Sequence, residues 1–221
     1  IEYKGEEKLY LPVHRLRLIQ KYVGAQEGRA PPLDKRGGTS WATTKKKVKD
    51  HLLKMAAELL RLYAQRQSVE GFAFPPPDES FAQFEAEFEH EPTPDQAKAI
   101  EDVVRDLQQP SPMDRLICGD VGYGKTEVAM RATMMAVVAG KQTAVLVPTT
   151  VLAAQHHQVF SKRFENFGVN VGIVSRFQAN DANKETLQKL REGKVDIVVG
   201  THRLLGKDVQ FKDLGLLVVD E

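Results

Sequence analysis

One octapeptide constrains this chain more than any other feature. Gly119-Asp120-Val121-Gly122-Tyr123-Gly124-Lys125-Thr126 fits the spacing G-x-x-x-x-G-K-[ST]. Apolar Leu116-Ile117-Cys118 precedes it, and a helical stretch from Glu127 to Ala139 follows. A strand that enters a helix through such a loop turns successive backbone N–H groups inward, and the positive end of the helix adds to them. The glycines permit the backbone angles this needs. Asp120, Val121 and Tyr123 then contribute main-chain groups, Lys125 neutralises the β/γ-phosphates of a nucleotide, and the Thr126 hydroxyl ligates magnesium. Cys118, the last residue of the strand, reads as a small buried hydrophobe.

A second acidic element fits the same site. The apolar run Leu214-Gly215-Leu216-Leu217-Val218-Val219 ends in Asp220-Glu221, 95 residues after Lys125. Asp220 is expected to hold magnesium through water. Glu221 is expected to polarise an attacking water, which hydrolysis needs and phosphate transfer to another substrate does not.

Around these motifs the chain alternates. Helix is expected over 93–109, 125–139, 149–164 and 181–192, and strand over 115–118, 143–147, 170–174, 195–199 and 214–219. Short apolar strands separated by helices imply an α/β fold with a parallel sheet covered on both faces. The earlier part is different. Residues 1–23 carry β-formers with a turn at Gly5, and a strand or helical turn after Pro12. Residues 24–40 hold Gly24, Gly28, Pro31, Pro32, Gly37 and Gly38 and read as a loop. Residues 41–69 space Trp41, Val48, Leu52, Met55, Ala56, Leu59, Leu60 and Tyr63 at three and four, which predicts a long helix with a buried apolar stripe. Lys45-Lys46-Lys47 and Lys49 on that helix form either a solvated face or a phosphate-contacting one. Past Pro75-Pro76-Pro77, an acidic stretch carries Phe81, Phe84 and Phe88 at helical spacing, so a short helix should pack its aromatic side on a neighbour.

Composition removes other classes. With 31 Lys+Arg against 30 Asp+Glu, any affinity for nucleic acid must come from local sites. A single cysteine excludes a disulfide scaffold and a Cys-based zinc site, and it fits a reducing cytosol. No apolar run reaches the roughly 20 residues needed to cross a bilayer, and the charged start is no signal peptide. His156-His157 read as surface or packing residues, and no partner cluster supports His202 as a metal ligand. The sequence starts without Met and stops at the end of a core strand, so a piece of a longer protein is expected.

The chain also resembles a known family. Thr93-Pro94-Asp95-Gln96, the octapeptide with Glu127, Val147-Pro148-Thr149-Thr150, Gly200-Thr201-His202 and Val219-Asp220-Glu221 resemble the first motor domain of the RecG/Mfd group of superfamily-two translocases. Lys8-Leu9-Tyr10-Leu11-Pro12-Val13, Leu33-Asp34-Lys35, Ala56-Ala57-Glu58-Leu59-Leu60, Tyr63-Ala64-Gln65-Arg66 and Gly71-Phe72-Ala73-Phe74 resemble the bacterial transcription-repair coupling branch of that group. The resemblance implies a P-loop RecA-like sheet, here an incomplete first motor domain. It would be preceded by part of a small β-barrel module and a long linking helix. The implied segments are 1–38 for the β module, 39–74 for the helix, 75–92 for an acidic and aromatic connector, and 93–221 for the motor domain.

It further implies ATP and Mg2+ as cofactors, a bacterial cytoplasmic setting, and a motor that walks on double-stranded DNA. That motor would displace stalled RNA polymerase through the polymerase β subunit and recruit excision-repair proteins. Gln96 would read the adenine edge, Phe88 or a neighbour would stack on the ring, and Glu127 would join the octapeptide in binding ATP. Pro148, Thr149, Thr150 and Gln155 would form one DNA-contacting motif, and Gly200, Thr201, His202 and Arg203 a second. The resemblance also implies a missing strand between the Asp-Glu strand and the P-loop strand, hence a gap with two unpaired edges. An arginine finger, worth about 10³–10⁵ in rate, is expected from a second motor domain, so this stretch alone is expected to hydrolyse little ATP. The alternative is a polymerase-binding module carrying an incompetent piece of motor. A small-molecule kinase is disfavoured, because it does not explain Asp220-Glu221, Gln96 and Pro148-Thr149-Thr150 together.

Overall fold

The computed structural model describes residues 1–5, 7–20, 35, 38–176 and 178–220. Most of the loop expected over 24–40, and Glu221, lie outside the described residues. The chain divides into two units, Ile1–Gln65 and Arg66–Glu221.

In the first unit a turn at Gly5 (φ 92°) returns the chain on itself. The Tyr3 N–H donates to the Glu7 carbonyl at 2.8 Å and the Leu9 N–H to that of Ile1 at 2.8 Å, around an antiparallel bridge between Glu2 and Lys8. A 3-10 turn covers Val13–Leu18. Helix α1 runs from Ser40 to Ser68 and buries none of its residues. The three-and-four spacing gave the helix correctly, but the stripe expected to be buried is exposed, with Leu59 at 64% and Trp41 at 65%. Periodicity reports which residues share a face; it does not supply the surface that covers them.

The second unit is built on a four-stranded, all-parallel sheet. Its strands are β1 (Gln142–Leu146), β2 (Val171–Val174), β3 (Ile197–Gly200) and β4 (Leu214–Val219), in the order β2-β3-β1-β4. Its helices are α2 (Glu79–Ala86), α3 (Pro94–Leu107), α4 (Lys125–Val138), α5 (Thr150–Arg163) and α6 (Asn180–Glu192). Strand residues alternate between two cores, as the two-residue period of a strand requires. Val145, Val147, Ile197 and Val199 face a core shared with α2 to α5, whereas Ala144 and Val198 face one shared with Leu190 of α6 and with Leu204.

The aromatic side of α2 packs as its spacing implies. Phe81 and Phe84 are buried, and the Phe84 ring lies 4.8 Å from that of Phe164 and 5.3 Å from that of Phe167. Burying one such ring stabilises the fold by about 1.5–3 kcal/mol.

Residues 115–118 correct the sequence reading: they join no ladder. A strand exists only where a neighbour accepts and donates its backbone hydrogen bonds, and none of the described residues does so there. Leu116 is 84% exposed and Cys118 is exposed rather than buried for the same reason. Among the described residues, strand β4 pairs with β1 alone and forms an edge.

Candidate functional site

The glycine-rich loop has the backbone its sequence demands. Gly122 (φ 83°) and Gly124 (φ 70°) are both left-handed, and a Cβ on Gly124 would collide with Nε2 of Gln96. Helix α4 then starts at Lys125 without a side-chain cap. The Glu127 N–H closes onto the Gly124 carbonyl, and those of Lys125 and Thr126 are left to an anion or to water. Lys125 Nζ donates to the carbonyls of Gly119 at 2.6 Å and Asp120 at 2.8 Å, which holds the ammonium against the loop. An uncapped helix N-terminus, an ammonium and the Thr126 hydroxyl form a donor set suited to a nucleoside polyphosphate. Thr126 and Asp220 offer hard oxygen donors of the kind Mg2+ takes alongside substrate phosphates. Among the described residues no group of three or more His, Cys, Asp and Glu side chains could hold a metal alone.

The sheet brings the remaining motifs together. Leu146 is in register with Gly200 on one side and with Val219 on the other. The Val147 N–H donates to the Gly200 carbonyl at 2.9 Å, and the Asp220 N–H donates to the Leu146 carbonyl at 2.9 Å. Parallel strands end on one edge, so Pro148-Thr149-Thr150, Gly200-Thr201-His202-Arg203 and Asp220 leave the sheet side by side. A short turn at Gly140-Lys141 reverses α4 into β1, so the N-terminus of α4, with the loop, faces that same edge.

Gln96 reaches the loop. Thr93 and Gln96 form a reciprocal capping box at the start of α3, in which Gln96 Oε1 accepts from the Thr93 N–H at 2.8 Å. The other end of the same amide, Nε2, donates to the Tyr123 carbonyl at 2.7 Å. Phe88 follows α2, with its ring 5.8 Å from the Arg131 guanidinium and 6.0 Å from that of Arg163. Glu127 is buried. Its Oε1 accepts from Arg131 Nε at 3.0 Å and from Arg163 Nη2 at 3.3 Å, and Arg131 also pairs with Glu85. The Glu127 side chain is thus committed to this network, and its N–H donates to the Gly124 carbonyl at 3.0 Å.

The two candidate DNA motifs differ in exposure. Pro148, Thr149 and Gln155 are exposed, and Thr149 caps α5 by accepting from the Leu152 N–H at 3.2 Å. His202 is exposed, whereas Gly200 and Thr201 are buried. A Cβ on Gly200 would meet the Val174 carbonyl at 2.6 Å, so packing alone demands glycine there. Arg203 is paired with Asp208, Nη1 lying 2.7 Å from Oδ1. Hydrogen bonds from this guanidinium hold the Asp208 carboxyl below the usual carboxylate range.

Sequence reasoning passed over two groups and read a third, His156, as a surface or packing residue. Arg131 and Arg163 carry no motif; the signal available was the Glu127/Arg131 pair, four apart on a largely apolar helix. Gln142, at the start of β1, is buried and fully used. It donates to the carbonyls of Leu190 at 2.9 Å and Val195 at 2.7 Å, and accepts from the N–H groups of Lys212 at 2.8 Å and Asp213 at 3.0 Å. His156 lies on the inner side of α5, with Nε2 2.7 Å from Asp220 Oδ2.

Comparison with known proteins agrees with this architecture. Residues 93–221 match the DEAD/DEAH box helicase family. Over all 221 residues the chain is 59% identical to a transcription-repair-coupling factor of Myxococcus xanthus, covering 100% of this chain and 18% of that protein. It is 52% identical to the one of Haemophilus influenzae and 49% identical to the one of Bacillus subtilis, covering 100% of this chain and 19% of each. The chain thus spans under a fifth of the length of these relatives. Among solved structures, RecG bound to a three-way DNA junction superposes with a TM-score of 0.68 at 34% identity, over 73% of this chain and 22% of that one. A hypothetical ATP-dependent RNA helicase from Sulfolobus tokodaii shares the fold, with a TM-score of 0.51 at 20% identity over 66% of this chain and 41% of that one.

Proposed function

We infer the function of this chain from its family: it belongs to the DEAD/DEAH box helicases. The reading supported best is the nucleotide-binding part of an ATP-driven translocase on double-stranded DNA. It would act on stalled RNA polymerase and couple transcription to nucleotide excision repair. One observation carries the enzymatic part. The glycine-rich loop, Asp220 and the segments after β1 and β3 face one edge of the sheet, so phosphate chemistry and DNA contact share a boundary. The polymerase and repair parts rest on similarity across the whole chain to transcription-repair-coupling factors.

In this reading the loop N–H groups and the end of α4 would cradle the phosphates, and Lys125, now bonded to the Gly119 and Asp120 carbonyls, would neutralise the β/γ-phosphates. Thr126 and, through water, Asp220 would hold magnesium, which would supply positive charge at the phosphates. Gln96, which braces the loop through the Tyr123 carbonyl, would read the adenine edge, and Phe88 would stack on the ring. Glu221 orients the attacking water. Thr149, Thr150, Gln155, His202 and Arg203 line the DNA side with hydroxyl, amide and basic groups suited to phosphates.

Lys125→Ala tests the reading. In the full chain it should reduce ATP binding to background and leave the fold intact, since Lys125 bonds only to its own loop. Unchanged nucleotide affinity would remove the assignment. The second reading, a polymerase-binding module with an incompetent motor, is favoured by the absence of residues 115–118 from the sheet. Polymerase binding together with no DNA-stimulated ATP hydrolysis by the wild-type chain would select it.

A further inference from the structure

His156 does work that no motif assigns to it. Its Nε2 lies 2.7 Å from Asp220 Oδ2 and its side chain is only 11% exposed. The ring also packs toward Phe160, with centroids 6.1 Å apart, and Phe160 stacks in turn on Phe164. The other ring nitrogen, Nδ1, is buried with no partner among the described residues. A proton there would be a buried, unanswered donor, which costs about 1–3 kcal/mol; on Nε2 it points at a carboxylate. The geometry therefore places an Nε2–H against Oδ2, which holds that oxygen in position.

Asp220 has one other visible restraint, its own N–H on the Leu146 carbonyl. That bond places the backbone and leaves the carboxylate to rotate. His156 supplies the missing constraint on the side chain. It supplies it from α5, the helix whose N-terminal Thr149 and Thr150 lie on the candidate DNA side. The 14 residues of α5 form one rigid element, so a shift at its first turn is carried to His156.

We propose that His156 is a positioning residue for the magnesium carboxylate Asp220, through which the orientation of α5 sets metal binding at the nucleotide site. The inference rests on the reading of Asp220 as a magnesium ligand. Hydrogen-bond partners of metal-binding carboxylates and imidazoles typically change metal affinity by about 10–100-fold when removed.

The test measures affinity for a fluorescent ATP analogue in the full chain across a Mg2+ titration, with and without duplex DNA. Melting is recorded for each variant. His156→Leu fills the space beside Phe160 without a donor, and His156→Gln restores an N–H. In His156→Leu the Mg2+ concentration that half-maximally tightens nucleotide binding should rise about tenfold, while affinity without Mg2+ stays put. His156→Gln should recover most of the shift. The effect of DNA on the Mg2+ midpoint should vanish in His156→Leu. His157→Ala, on the same helix, removes a ring whose Nε2 lies 3.3 Å from the Val171 carbonyl of β2, and serves as the control for general disturbance of α5.

A folded His156→Leu with a wild-type Mg2+ midpoint would overturn the proposal. So would an equal shift in His157→Ala, or a His156→Gln as impaired as the leucine variant. If the leucine variant does not fold, the comparison of His156→Gln with His156→Asn decides: only the longer amide can place its N–H where Nε2 stands, so equal midpoints would also overturn it. Failure of the wild-type chain to bind the analogue at all is a different result, and sinks the nucleotide reading itself.

Discussion

Gln96 Nε2 donates to the carbonyl of Tyr123 at 2.7 Å, so the amide that caps α3 also braces the glycine-rich loop. The two ends of one side chain thereby join the start of α3 to the start of α4. A residue expected to read the adenine edge has a second, visible task, because the loop can present its N–H groups to phosphates only while its own carbonyls are held back.

Gln96→Ala should therefore act twice. Loss of the capping box should lower stability by about 1 kcal/mol, read by denaturant unfolding. Loss of the brace on Tyr123 should weaken nucleotide binding several-fold, read by titration with a fluorescent analogue. Lower stability with unchanged affinity would show that Gln96 is a helix cap only.

Glu221→Gln should separate binding from hydrolysis. A carboxylate that orients water can be replaced by its amide without touching the magnesium contact of Asp220. In the longer protein that the resemblance implies, nucleotide affinity should persist while DNA-stimulated turnover disappears. Turnover at the wild-type rate would move the catalytic role away from Glu221.

Glu127→Gln addresses the buried network. Its carboxylate neutralises Arg131 and Arg163, which are both poorly exposed, and Arg131 keeps only Glu85 once it is gone. Breaking a buried pair from one side costs about 3–5 kcal/mol. A lower melting temperature, with unchanged nucleotide affinity below the melt, is expected. A specific loss of affinity in the folded protein would instead assign the Glu127 side chain to the nucleotide.

Two neighbours in β1 should move stability in opposite directions. Gln142→Leu leaves the carbonyls of Leu190 and Val195 and the N–H groups of Lys212 and Asp213 without their shared partner, and should cost about 3 kcal/mol or more. Thr143→Val removes a fully buried hydroxyl that has no partner among the described residues, and should be neutral or stabilising by about 1 kcal/mol. Denaturant midpoints read both. A destabilised Thr143→Val would reveal an acceptor or donor for its hydroxyl.

The sequence by itself determined what is local. The G-x-x-x-x-G-K-T spacing specified left-handed glycines and an uncapped helix start, because those depend on a few consecutive backbone angles. Thr93-Pro94-Asp95-Gln96 specified where α3 begins, because a capping box closes within four residues. The apolar runs placed β1 to β4 within a few residues, although β3 is buried throughout whereas Leu214, Leu217 and Val219 of β4 stay exposed. Tertiary structure alone decided what depends on a distant neighbour. Leu116-Ile117-Cys118 has the composition of a strand, yet it joins no ladder, since pairing is a property of two segments. The stripe of α1 is as periodic as that of any buried helix, yet it stays exposed, since periodicity cannot provide a surface to pack against. His156 and Asp220 lie 64 residues apart and read as a surface or packing histidine and a strand-end acid. Only parallel pairing of β4 with β1, with α5 laid across the sheet, closes the 2.7 Å between them.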